Sequence, residues 1–238
     1  MHDIPPELFK EAFAGPDPYF QASRHAGNGH RNYVGGDAGS GLSFREAARF
    51  QLDFLVAQGL QPDTVFLDIG CGCLRGGMHF ISFLEPAKYL GIDISAEAVR
   101  RGIVEELGMP LFQERRPEFV ISDQYDFGIF SQRPEMALAN SVFTHVGPND
   151  IRTCLSKLQG PVTLFATFNE GDEPIPHRYV GHYLGGNELI TYTRDEMHAF
   201  GQEHGFRTEY LGNWGHPKNG WDGVFRNQMM FRFSKQQR

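Results

Sequence analysis

The sequence predicts one doubly wound α/β domain: a mostly parallel seven-stranded sheet, helices on both faces, and an antiparallel hairpin at its C-terminal edge. Three observations predict it. Short apolar runs alternate with helical patterns between residues 65 and 168, and runs that are apolar on both faces belong to parallel strands covered by crossover helices. The first run ends in a glycine turn, Gly70-Cys71-Gly72, that leads directly into a helix. The last two runs, near 207–212 and 224–233, are joined by the turn-rich stretch Gly212–Gly223 with no helix between them, so they should pair antiparallel.

Taken in order, residues 1–42 are rich in Gly, Pro, Asn and His and read as an irregular N-terminal arm with a short helix over 6–14. Ser43 and Glu46 have capping-box spacing, and Phe44, Ala47, Ala48, Phe54 and Leu55 follow at helical spacing up to a stop at Gln58-Gly59. Val65–Ile69 is the first strand, followed by a helix over about 75–84. Tyr89–Ile94 is the second, after which Ser95 caps a helix to about Leu107. Phe119–Ser122 and Met136–Ala139 are the third and fourth, and Pro148 opens a helix reaching Leu158. Val162–Phe168 is the fifth. Thr193 and Glu196 form another capping box, opening a helix to about His204 ahead of the two late strands. No repeat or linker divides the chain, so residues 1–238 read as a single domain with its core over 64–168.

Composition narrows the function. With 22 Lys or Arg against 29 Asp or Glu, the formal net charge is −7, and the basic residues form no block beyond Arg100-Arg101 and Arg115-Arg116. A nucleic-acid partner, which needs a clustered basic surface, is therefore not expected. The N-terminus lacks the basic and apolar regions of a signal peptide, and the apolar stretches fall far short of the roughly 20 residues a membrane span needs. The expectation is a soluble, cytoplasmic protein with no membrane partner. Cys71, Cys73 and Cys154 form no disulfide framework and are too few for a metal site, so no metal is predicted.

The chemistry concentrates at Leu67-Asp68-Ile69-Gly70-Cys71-Gly72-Cys73. A strand delivers a carboxylate, and two glycines then turn the chain where a side chain would obstruct a ligand. Asp93 closes the next strand, at the distance where a carboxylate commonly accepts from ribose hydroxyls. A nucleoside ligand follows. Read from the residues alone, Asp68 is also suited to bracing the loop, and Asp93 to a charge at a helix N-terminus.

These pieces, with Gly91–Ser95, Asn140-Ser-Val-Phe-Thr-His145 and Phe165–Phe168, resemble the class I S-adenosylmethionine-dependent methyltransferases in order and spacing. The fold this implies is Rossmann-like. The resemblance implies S-adenosyl-L-methionine as cofactor, with the backbone of Gly70, Cys71 and Gly72 against its methionine part. Asp68 would fix the loop or reach the amino group, and Asp93 would hold the ribose. Ile94 would pack on adenine, Asp123 would accept from the adenine amino group, and Asn140 would face the methionine moiety. Leu74 stands where the family often has a third glycine, so a differently shaped loop is expected, relieved by Gly76 and Gly77. The competing nicotinamide-dinucleotide reading wants G-x-G-x-x-G, and its third glycine position is Arg75. An NAD-dependent oxidoreductase, or a nucleoside-binding protein without catalysis, stands as the alternative.

The expected acceptor is a small molecule, with O-methylation favoured over N-methylation. A hydroxyl acceptor must lose its proton, which suits an imidazole. His145, just past the fourth strand, is the leading base, and capping of the helix at 148 is its other reading. Residues 169–192 form a candidate acceptor lid carrying Tyr179, Tyr183 and Tyr192 around the acceptor and His177 or His182 as alternative bases, with Trp214, His216 and Trp221 in a later turn.

Overall fold

The computed structural model describes residues 4–18, 30–31, 43–172, 190–214 and 228–235. Nine strands among them form one sheet in the order β1-β4-β3-β2-β5-β6-β9-β8, with β7 beside β6. The parallel strands are β1 (Phe9–Glu11), β2 (Phe66–Ile69), β3 (Tyr89–Asp93), β4 (Glu118–Ile121), β5 (Met136–Ala139), β6 (Val162–Glu170) and β7 (Thr191–Tyr192). β8 (Arg207–Asn213) and β9 (Gln228–Lys235) pair antiparallel, and β9 runs antiparallel to β6. The predicted hairpin is present; its second strand is described over Gln228–Lys235 and runs past the expected end at 233, while residues 224–227 lie outside the described residues. The sheet also has two strands more than the seven expected, the short β1 and β7.

Helices cover both faces. On one lie α1 (Phe44–Ala57), α2 (Gly77–Phe83), α3 (Ala96–Arg101) and α4 (Met109–Arg115). There Leu52, Leu55, Phe80, Val99 and Phe112 share a core with Phe66, Tyr89 and Phe119 of the sheet. The opposite core joins Leu67, Ile69, Leu90 and Ala139 to Ile151 and Leu155 of α5 (Pro148–Lys157) and to Met197 and Phe200 of α6 (Arg194–Glu203). Both predicted capping boxes form: Ser43 with Glu46, and Thr193 with Glu196.

Three expectations are corrected. The helix expected over 6–14 is a turn followed by β1, because a helix that short is marginal alone and the sheet edge offers backbone partners. The Phe119 amide donates to the Leu8 carbonyl at 2.8 Å, and the Ala12 amide to that of Ile121 at 2.8 Å. The single helix expected from Ser95 to Leu107 changes at Gly102 from α to a π-helical turn over Gly102–Leu107. A Cβ on Gly102 would come 2.6 Å from the Cys73 carbonyl carbon, so this glycine lets the helix approach the glycine turn. The sequence reading also missed α4, which has Pro110 in its first turn.

Candidate functional site

The predicted cofactor residues come together along the carboxyl ends of neighbouring strands: Asp68, Gly70, Cys71 and Gly72 on β2 and its turn, Asp93 and Ile94 at β3, Asp123 after β4, and Asn140 after β5. This is where ligands bind in open parallel sheets. Asp93 is buried, and its two carboxylate oxygens accept from the Gly72 amide at 2.7 Å and the Ser95 amide at 2.9 Å. The carboxylate therefore ties the glycine turn to the start of α3. Charge-assisted bonds of this kind are the stronger ones. Ile94 and Asp123 are half-buried.

Gly70 has φ +72° and Gly72 φ +53°, conformations that favour glycine. A Cβ on Gly70 would also come 2.5 Å from Cγ2 of Val142. Leu74 adopts φ +61°, while Gly76 keeps an ordinary right-handed φ of −73°. The expected relief at Gly76 is thus corrected, since the leucine itself carries the left-handed turn. That conformation costs a non-glycine residue about 1–2 kcal/mol. Full burial of the Leu74 side chain, packed against Gly77 and Gly102, offsets it with roughly 1.5–3 kcal/mol.

The Asp68 carboxyl is buried and accepts from the Tyr89 hydroxyl at 2.8 Å. Burial pushes it up to about 7; the Tyr89 bond and the Arg75 charge pull it down, and Asp93 adds to the rise. Arg75, at the position a dinucleotide fingerprint gives to its third glycine, is itself buried in the turn. The three cysteines are buried and reduced. Burial drives the Cys71 thiol well above its ordinary range and pushes Cys73 up to about 12, so neither is a thiolate nucleophile at neutral pH.

The sequence reading missed several supports. Asp17 of the arm accepts from the Ser95 hydroxyl at 2.6 Å and the Glu97 amide at 2.9 Å, which joins the arm to Asp93 through Ser95. Arg31 forms a bidentate pair with Glu106 on the π-helical turn, at 2.6 and 2.9 Å. Gln51, the polar residue on the buried face of α1, packs against Gly76. That last position was readable as a polar residue interrupting an apolar helical stripe; the arm contacts carry no local signal.

Beyond β5, the Asn140 carboxamide oxygen accepts from the Trp214 indole at 2.8 Å, and Phe50 and Phe54 pack on that indole. Ser141 has φ +58°; its amide donates to the Thr167 hydroxyl, and its own hydroxyl pairs with Gln228. His145 is half-buried in the loop between β5 and α5, its amide bonded to the Val142 carbonyl at 3.0 Å. The Gly147 amide before α5 is taken by Asp150 at 3.2 Å. Tyr192, expected in the lid, is a core residue. It is fully buried, its hydroxyl donates to the Val146 carbonyl at 2.6 Å, and its ring meets Phe200 edge-on. Trp214 is likewise buried. His177, Tyr179, His182, Tyr183, His216 and Trp221 lie outside the described residues. Among the described residues no three His, Cys, Asp or Glu side chains converge as metal ligands, and no helix is long and apolar enough to cross a membrane.

No family model matches the chain. Solved structures do resemble it. The S-adenosylmethionine complex of magnesium protoporphyrin IX methyltransferase from Synechocystis superposes with a TM-score of 0.59 at 14% identity, covering 94% of this chain and 100% of that one. The Burkholderia thailandensis 1,6-didemethyltoxoflavin-N1-methyltransferase, with 1,6-didemethyltoxoflavin and S-adenosylhomocysteine bound, gives 0.54 at 19% identity over 92% of this chain and 86% of that one. A Methanosarcina mazei S-adenosylmethionine-dependent methyltransferase gives 0.54 at 16% identity over 77% and 98%. The chain has the class I methyltransferase fold.

Proposed function

We propose that this chain, built on the class I methyltransferase fold, transfers a methyl group from S-adenosyl-L-methionine to a small molecule, with a hydroxyl oxygen favoured over an amine nitrogen as acceptor. The observation that carries the reading is the pair of left-handed glycines at the end of β2, locked by the buried Asp93 at the end of β3. This leaves a turn of bare backbone beside a carboxylate, a cradle that suits a nucleoside with an amino-acid tail. When bound, the cofactor supplies a methyl group activated by a sulfonium.

The chain's own residues do the rest. A carboxylate accepts along about four directions, so Asp93 can hold two amides and still accept from ribose hydroxyls. Ile94 packs on the adenine ring, and Asp123 accepts from its amino group. Asn140, oriented by Trp214, faces the methionine moiety, and Asp68 holds the turn from behind through Tyr89. Methyl transfer is an in-line displacement, so alignment is the main task, and a fixed geometry can supply about 7–11 kcal/mol of the barrier. His145 takes the proton of the acceptor hydroxyl. The small-molecule acceptor is supported by the substrates in the names of the Synechocystis and Burkholderia proteins, and by a formal net charge of −7 that disfavours nucleic acid.

The test is turnover with methyl-labelled cofactor against a panel of phenols, alcohols, amines and carboxylates. Label recovered on oxygen is the expected result. Label recovered on nitrogen would replace the proposed acceptor class. Cofactor binding with no transfer to any member would favour a nucleoside-binding protein.

A further inference from the structure

Two pieces of the N-terminal arm grip one helical run, α3 and the π-helical turn that continues it. Asp17 holds the start of α3 through the Ser95 hydroxyl and the Glu97 amide. His30 and Arg31 hold the π-helical turn. The His30 ring is buried, with Nδ1 2.9 Å from Glu105 Oε2 and Nε2 2.5 Å from Glu106 Oε1. Arg31 donates to both oxygens of the same Glu106 carboxylate and lies over the Phe44 ring of α1. A neutral imidazole has one N–H and one lone pair, so the neutral ring would set its lone pair against a carboxylate. Two carboxylate partners require the charged ring, with both nitrogens donating.

The other charges of the cluster suit that state. Burial pushes the Glu106 carboxyl up, but the bonds from Arg31 and His30 outweigh it and hold the group below its ordinary range. Arg101 of α3 pairs with Glu97 at 2.7 Å and with Glu105 at 3.3 Å. Among the described residues the cluster is completed by the Cys73 thiol, which burial pushes up and which also feels the Glu106 charge. The gripped run in turn touches the cofactor site at two points. The Ser95 amide donates to Asp93, and a Cβ on Gly102 would come 2.6 Å from the Cys73 carbonyl carbon in the glycine turn. A π-helical turn is a rare element, frequent at functional sites.

We propose that the N-terminal arm is a proton-dependent clamp on the cofactor site, closed by the charged His30 between Glu105 and Glu106 and opened when that ring loses its proton. The inference rests on the cofactor reading above and adds a control to it. Closing takes up one proton at the imidazole; opening releases it and leaves one carboxylate without its donor. The cofactor binds more tightly to the closed form, because the run that the arm grips carries Ser95 and abuts the glycine turn.

Trypsin cleavage after Arg31, identified by fragment mass and normalised at each pH to a short peptide with the same bond, reads the open clamp. In the wild-type chain it should rise about tenfold or more between about pH 5.5 and about pH 8, the loss of a hydrogen bond to a charged group. His30→Gln, which does not titrate, should cleave alike at both. His30→Lys, a cation with three donors, should stay slow at both. By calorimetry, S-adenosylhomocysteine should weaken over the same interval about fivefold or more in the wild-type chain relative to His30→Gln, a comparison in which the Asp68 titration is common to both proteins. A cleavage ratio no larger in the wild-type chain than in His30→Gln overturns the inference, and so does opening that leaves S-adenosylhomocysteine affinity unchanged; both leave the cofactor reading intact. A wild-type chain that binds no S-adenosylhomocysteine at either pH overturns the cofactor reading, and the clamp's part in it, whatever the cleavage shows.

Discussion

The proposed nucleoside side of the sheet, from the Gly70–Gly72 turn across β3 to β4, and the proposed acceptor side, the described residues around Asn140, the β5–α5 loop and β7, are held together in different ways. On the nucleoside side the bonds around the glycine turn itself join the adjacent strands β2 and β3, Asp93 to Gly72 and Ser95, and Tyr89 to Asp68, with Asp17 of the arm bracing Ser95 and Glu97 from outside. On the acceptor side the bonds bridge segments far apart in sequence: Trp214 to Asn140, Gln228 to Ser141, Tyr192 to Val146, and the Ile190 amide to the Thr144 carbonyl. A site made from strand-end turns depends on local backbone conformation, whereas a site made from distant segments depends on the packing that brings them together. On the proposed reading, cofactor recognition belongs to the fold's shared part and acceptor choice to what is attached to it.

Four substitutions probe that division, in falling order of effect. His145→Ala should lower turnover on a hydroxyl acceptor about 10²–10⁴-fold with S-adenosylhomocysteine affinity unchanged, and should erase from the pH–rate profile the ionisation of the base. A variant that loses melting temperature but keeps its pH profile would make His145 structural. That would leave the base on the acceptor side to be sought elsewhere.

Asp68→Asn addresses the other side through stability. An Asp carboxyl at about 7 in the folded chain and near 3.9 in the unfolded one binds more protons when folded between those values. Its contribution is full below about pH 4 and is lost as pH rises through 7, a loss on the order of 4 kcal/mol. The asparagine variant keeps an acceptor for Tyr89 and should flatten that slope in urea melts taken across the window. An unchanged slope would show that the carboxyl titrates at its ordinary value.

Asp93→Ala should weaken S-adenosylhomocysteine at least tenfold, from the loss of a charge-assisted acceptor worth roughly 1.5–3 kcal/mol, and should not alter the ratio of rates among acceptors. A change in that ratio would mean the two sides are not separable. The smallest effect belongs to Asp17→Ala. It removes the acceptor for the Ser95 hydroxyl and the Glu97 amide and should cost about 1 kcal/mol of stability, as the loss of a helix cap does.

The same division explains what could be read in advance. The Asp68, Gly70, Gly72 and Asp93 positions were legible because each meets a local demand, either a turn that only glycine makes easily or a carboxylate where a strand gives way to a helix. Ser43, Glu46, Thr193 and Glu196 were legible for the same reason, as caps satisfying amides three residues away. β1 was not, since Phe9–Glu11 becomes a strand by pairing with residues more than a hundred positions away. Tyr192 was misassigned because an aromatic in a loop-rich stretch looks the same in sequence whether it lines a pocket or fills a core. Here its hydroxyl finds the Val146 carbonyl and its ring finds Phe200. The Leu74 turn was misjudged for a similar reason, since the burial that offsets its left-handed backbone comes from packing against Gly77 and Gly102.

The most direct test of the cofactor reading is calorimetric titration of the wild-type chain with S-adenosylhomocysteine and, separately, with NAD. The glycine turn braced by Asp93 predicts one S-adenosylhomocysteine bound per chain with micromolar affinity and no measurable NAD binding. Binding of NAD in preference to S-adenosylhomocysteine, or of neither, would contradict it.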